Sequence, residues 1–108
     1  MSQNPLLSIV VAVYNGGKFL AQFFECIQQQ QLESYELILV NDGSTDDSLA
    51  VIDAWRDKMQ NVTVIQQENQ GVSVARNSGL AIAKGKYLTF PDIDDKLYPG
   101  MFRTLLDM

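Results

Sequence analysis

At 108 residues the chain fits one domain, expected to span 1–108, and its 46% apolar content is enough to build a buried core. A formal net charge of −5 removes the basic footprint that a nucleic-acid partner requires, and the absence of histidine removes Ser-His-Asp and Cys-His nucleophiles, His-ligated zinc and imidazole bases. The single cysteine, Cys26, excludes an internal disulfide and points to a reducing, cytoplasmic setting.

Leu7 to Val13 is a continuous apolar run rich in β-branched residues, the pattern of a strand covered on both faces. No basic segment precedes it, so it reads as a strand and not as the apolar part of a signal peptide, and no apolar run is long enough to cross a bilayer. Phe19, Leu20, Phe23, Phe24 and Ile27 follow at helical spacing. The glutamine run Gln28 to Gln31 reads as a solvated turn closing that helix. Tyr35 to Val40 predicts a second strand. Ser44 or Thr45 can cap the next helix, with Asp46 and Asp47 in its first turn and Leu49, Ile52 and Trp55 as its apolar stripe. Val62 to Ile65 predicts a third strand. A third helix carries Val72, Ala75, Gly79 and Ile82 on one side, and Tyr87 to Phe90 predicts a fourth strand. Pro99 can open a last helix with Met101, Phe102, Leu105 and Leu106 as its apolar face.

Strict β-α alternation implies an α/β fold: three layers, a mostly parallel, Rossmann-like sheet, and right-handed crossovers. Ligands of such sheets bind beyond the carboxyl ends of the strands, where the strand order reverses. Four segments fall there: Tyr14 to Gly17, Asn41 to Ser44, Gln67 to Gly71 and Pro91 to Asp95.

Asp92-Ile93-Asp94-Asp95 sets three carboxylates in four residues. A hard divalent cation would offset their repulsion, and Mg²⁺ or Mn²⁺ takes one or two protein carboxylates and completes its sphere with phosphate oxygens and water. A solvated acidic loop is the alternative. Asp42, next to Gly43, can accept a hydrogen bond from the ring N–H of a uracil, thymine or guanine and not from the bare ring nitrogen of adenine; standing alone, the motif reads first as an Asx turn before a capped helix. Tyr14 can stack on a base while Asn15 holds the turn, or it can be a core aromatic. Gly71 opens a helix whose early face carries Ser73, Arg76 and Asn77; Arg76 can meet a diphosphate, orient the acidic loop, or lie on the surface. No G-x-G-x-x-G follows the first strand, and Gly79 with Gly85-Lys86 is one residue too long for a P-loop and lacks its Ser or Thr.

In order and spacing, Ser8 to Asn15, Ile38 to Asp46, Asn69-Gln70-Gly71 with Ala75 to Gly79, and Asp92 to Asp95 resemble the family 2 glycosyltransferases of the GT-A fold. The resemblance covers nearly the whole chain and implies strand order 3-2-1-4. It implies that Val13, Tyr14, Asn15, Asp42, Gly71, Arg76, Asp92 and Ile93 contact the nucleotide, with Tyr14 and Asp42 facing the base, and that Asp94, assisted by Asp92, holds Mn²⁺ or Mg²⁺. Ala12, Asn41 and Pro91 depart from residues common in the family, and none of these removes an implied role.

The implied partners are a nucleotide-diphospho-sugar, with UDP first and GDP or dTDP as alternatives, and a carbohydrate or lipid-linked acceptor. The implied reaction is inverting transfer to an acceptor hydroxyl in polysaccharide synthesis. The family's general base lies beyond the metal motif, so the chain is expected to be the N-terminal portion of a longer enzyme. Peripheral attachment at the inner face of the membrane fits such an enzyme, and homo-oligomerisation is left open. A module that binds nucleotide and metal without turnover competes with this reading. A phosphoryl-transfer domain would need its acidic cluster after the first strand, where Tyr14-Asn15-Gly16 stands.

Overall fold

The computed structural model describes residues 4–94 and 100–102. Its elements run β1 (Leu7–Val13), α1 (Gly17–Gln29), β2 (Tyr35–Asp42), α2 (Ser48–Arg56), β3 (Val62–Gln67), α3 (Val72–Ile82) and β4 (Tyr87–Thr89). The four strands form one sheet in the order β3-β2-β1-β4, and every pairing is parallel. This is the expected α/β architecture and strand order.

β1 occupies an inner position. It pairs with β2 from Leu7↔Tyr35 to Val13↔Asn41, and on its other edge with β4 from Leu7↔Tyr87 to Ile9↔Thr89. The near-continuous apolar sequence of β1 follows from this place, because both of its faces are covered. On one face, Leu20, Phe23, Phe24 and Ile27 of α1 and Ile52 of α2 pack against Ile9, Val11, Val13, Leu37 and Leu39. The Phe24 and Trp55 rings stack there with centroids 5.3 Å apart. On the other face, Ala75 of α3 packs on Val10, Ile38 and Val40. Gly79 lets α3 come close to the sheet: a Cβ there would stand 2.4 Å from Val10 Cγ1 and 3.4 Å from Val40 Cγ2.

Two local expectations are corrected. α2 starts at Ser48 after Asp47, not after Ser44 or Thr45. The amides of Thr45 and Asp46 are drawn to the Asn15 side-chain oxygen at 2.7 and 3.3 Å, which holds this stretch outside the helix. The glutamine run is not wholly solvated. Gln30 is fully buried, and its Oε1 accepts the Phe102 backbone N–H at 2.9 Å. Of the last expected helix, Met101 and Phe102 are helical and Phe102 is buried. Pro99, Leu105 and Leu106 lie outside the described residues, as does Asp95.

At the amino end of the sheet the α3–β4 turn is tied down by a polar staple. The Glu36 carboxylate accepts the Lys84 N–H at 2.6 Å and the Ser8 hydroxyl, and the Ser8 oxygen accepts the Gly85 N–H at 2.8 Å. The opposite, carboxyl end is thereby left as the place where the long polar loops gather.

Candidate nucleotide-binding rim

The loop after β1 turns on Asn15, whose φ of 50° is a left-handed conformation that asparagine tolerates better than most side chains. Its N–H donates to Ser44 Oγ at 3.0 Å, and its side-chain oxygen accepts the Thr45 N–H. Asp46 then ties the β2–α2 loop to the start of α1. One carboxylate oxygen accepts the Gly17 N–H at 3.0 Å, and the other accepts the N–H and hydroxyl of Ser48. α1 has no side-chain cap of its own, so Asp46 supplies an acceptor for one of its first amides from across the rim. These hydrogen bonds hold the Asp46 carboxyl below the usual carboxylate range, with the Ser48 hydroxyl as the largest cause.

The loop after β2 is locked to the loop after β3. Asp42 is 3% exposed. Its Oδ1 accepts from Gln67 Nε2 and from the Gln70 N–H, both at 2.9 Å, and its Oδ2 accepts from the Gly71 N–H at 3.0 Å. The Gln67 hydrogen bond comes first among the causes that hold its carboxyl below the usual range, outweighing the opposing effect of burial. Gly43 has φ 71°, and a Cβ there would meet the Asn69 backbone nitrogen at 2.6 Å. At Gly71 a Cβ would meet nothing within 4 Å; there the φ of 97° favours glycine, not lack of space.

The acidic loop after β4 reaches the same rim. A Cβ on Gly16 would stand 3.4 Å from Ile93 Cγ1, so Ile93 lies against the β1 loop. Arg76 of α3 pairs with Asp92 at 2.8 Å, their side chains 37% and 63% exposed. Asp94 is exposed beside them in sequence. Tyr14 is 53% exposed, so it is not a core aromatic and has a face available to a ligand. Val13 is buried; its carbonyl is 3.5 Å from the Ser44 hydroxyl.

The four loops named from the sequence thus meet along one edge. Gln67, Asp46 and Ser48 carry much of its organisation, a role the sequence did not show for any of them. The signal for Gln67 was period-two alternation: it pairs with Asp42 across β2 and β3, on the same face of the sheet. A hollow of about 320 Å³ lined by Ser73, Arg76, Asn77, Leu80 and Phe90 borders the Arg76 side of the rim. Another of about 390 Å³, lined in part by Glu33, Glu36, Asn61 and Lys84, lies at the amino end of the sheet, away from the edge where open parallel sheets bind ligands.

Among the described residues no three acidic or thiol side chains converge as a metal cage. The exposed carboxylates of Asp92 and Asp94 are a donor set of the right hardness for Mg²⁺ or Mn²⁺.

An all-parallel sheet of order 3-2-1-4 with its polar loops interlocked at the strand ends is an α/β domain of the GT-A glycosyltransferase type. TarS of S. aureus, solved in complex with UDP, is similar over 94% of this chain and 31% of its own, with TM-score 0.86 and 28% identity. The chain belongs to glycosyl transferase family 2, whose sequence profile it matches over residues 8–108. It is 38% identical to the uncharacterized glycosyltransferase YibD of Escherichia coli over 108 residues, and 44% identical to the glycosyltransferase GlyG of Streptococcus pneumoniae over 103 residues. These matches cover 100% and 94% of this chain but only 31% and 34% of those proteins, so the chain spans about a third of their length.

Proposed function

We propose that this rim binds a nucleotide-diphospho-sugar, UDP-linked first, and serves its metal-dependent transfer, with inversion, to a carbohydrate or lipid-linked acceptor hydroxyl. The observation that carries the reading is the convergence of four strand-end loops, which brings an acceptor carboxylate (Asp42), an exposed aromatic (Tyr14) and an Arg–Asp pair (Arg76 and Asp92) to one edge. The similarity to a protein solved with UDP supports the choice of nucleotide.

Tyr14 stacks on the base, and Asp42 accepts its ring N–H. Arg76 meets the diphosphate, using its planar fork of donors. Asp94, with Asp92, holds Mn²⁺ or Mg²⁺, and such an ion stabilises charge on a departing diphosphate. No described helix is long and apolar enough to cross a membrane.

One observation favours binding without turnover by these residues alone. Protein hydrogen bonds hold the Asp42 and Asp46 carboxyls below the usual range, which makes both weak bases for an acceptor proton. Calorimetry with UDP, with and without Mn²⁺, tests the whole reading. Mn²⁺ should strengthen UDP binding at least tenfold, on the order of 1.4 kcal/mol, and Asp94→Asn should abolish that increment while circular dichroism stays unchanged. Equal Mn²⁺ dependence in Asp94→Asn would remove Asp94 from the site. A donor-turnover assay on the same chain then separates transfer from binding.

A further inference from the structure

Asp42 carries more protein hydrogen bonds than a residue that only reads a ligand would need. An ionised carboxylate offers about four lone-pair positions. Among the described residues three are filled, two on Oδ1 by Gln67 and Gln70 and one on Oδ2 by Gly71. One acceptor position remains, and it belongs to Oδ2. Two of the three donors are backbone amides, which almost any sequence would supply. The third is the Gln67 side chain.

A glutamine amide can turn either its oxygen or its NH₂ toward a neighbour. Asp42 decides the matter here: an ionised carboxylate only accepts, so Nε2 faces it, and Oε1 is turned to Ser78 of α3, whose hydroxyl donates to it at 2.7 Å. A polar relay therefore runs from α3 through β3 to the end of β2. It helps hold the Asp42 carboxyl below the usual range, the Gln67 bond being the first of the causes.

We propose that Gln67, hydrogen-bonded to Ser78, is a positioning residue that sets nucleobase specificity: it occupies Oδ1 of Asp42 and leaves one acceptor position, which the ring N–H of a uracil-like base can fill and the bare ring nitrogen of adenine cannot. The inference rests on the nucleotide reading of the rim given above. Methionine at position 67 keeps much of the volume and supplies no donor. Glutamate keeps the shape and sets a second negative charge against Asp42.

The test is calorimetric titration of the 108-residue chain and its variants with UDP, ADP and inorganic pyrophosphate, each with Mn²⁺, with thermal melting as the check on folding. Gln67→Met should weaken UDP binding about tenfold, because the carboxylate loses the donor that fixes its orientation toward the base, and leave pyrophosphate binding unchanged. Gln67→Glu should weaken UDP further and narrow the preference for UDP over ADP, and Ser78→Ala should show a smaller loss of the same kind. Should Asp42→Ala lose UDP affinity while Gln67→Met and Gln67→Glu keep it, the role of Gln67 is overturned and the base contact of Asp42 stands. Should Asp42→Ala bind UDP as well as the wild type, or the wild type bind none, both are overturned. Parallel losses for UDP and pyrophosphate would reduce Gln67 to a support of the fold and overturn the proposal as well.

Discussion

At the scale of single residues, the rim is held by carboxylates that accept hydrogen bonds across loops. Asp42 and Asp46 both have folded-state pKa values below the ordinary 3.8. A depressed carboxylate pKa contributes stability that is present above the unfolded value and lost as pH falls through the folded one. The chain should therefore hold its urea midpoint from neutrality down to about pH 4 and lose it below. Asp46→Asn should lower the midpoint at pH 7 and flatten the fall between pH 4 and pH 2, as read from urea titrations at several pH values. A fall as steep as in the wild type would mean that Asp46 takes no part in the acid response. The sequence made Asp42 legible as a strand-end acid beside a glycine. It did not reveal that Asp42 spends most of its acceptor capacity on Gln67, Gln70 and Gly71, because those bonds join residues 25 to 29 positions apart and depend on the register of two strands.

At the scale of elements, apolar runs were enough to place every strand, and apolar spacing to place α1 and α3, although of the stripe expected on α3 only Ala75 and Gly79 are buried while Val72 and Ile82 are exposed. β1 could be read as a doubly covered strand because its neighbours bury both faces. The start of α2 was misplaced because local capping chemistry favours Ser44 and Thr45, whereas the Asn15 side chain, from another loop, claims the amides of Thr45 and Asp46. Gln30 was misread for a similar reason: a polar side chain buried to receive one backbone amide leaves no mark on hydropathy. The packing of α3 gives a prediction of its own. Gly79→Ala would press a methyl group into Val10 and should cost about 1–3 kcal/mol, as measured by thermal or urea unfolding. Gly71→Ala meets no neighbour but forces an L-residue to a φ of 97°, at a cost of about 1–3 kcal/mol as well. The two are told apart by structure: relief by Val10→Ala should appear for Gly79→Ala and not for Gly71→Ala.

Across the whole molecule, the fold converts four short polar stretches, far apart in the chain, into one edge. The α/β class and this edge were legible from the alternation of elements and the rule that parallel sheets bind ligands at their carboxyl ends, whereas the strand order came only with the family resemblance. If nucleotide and cation share that edge, UDP and Mn²⁺ together should raise the melting temperature with ligand concentration, and each alone should raise it less. At a hundredfold excess over the dissociation constant the joint effect is about 2.7 kcal/mol, readable by scanning fluorimetry. Arg76→Ala should reduce it by releasing Asp92 and removing a phosphate donor. The strand order also bears on how the chain is made. β1 gains β2 early, but its other edge waits for Tyr87 to Thr89. At about 5–20 residues per second, a ribosome leaves that apolar edge open for several seconds. The nascent polypeptide thus passes through a stage in which its most hydrophobic strand is half-paired, and shielding of apolar surface during synthesis should matter most between β2 and β4.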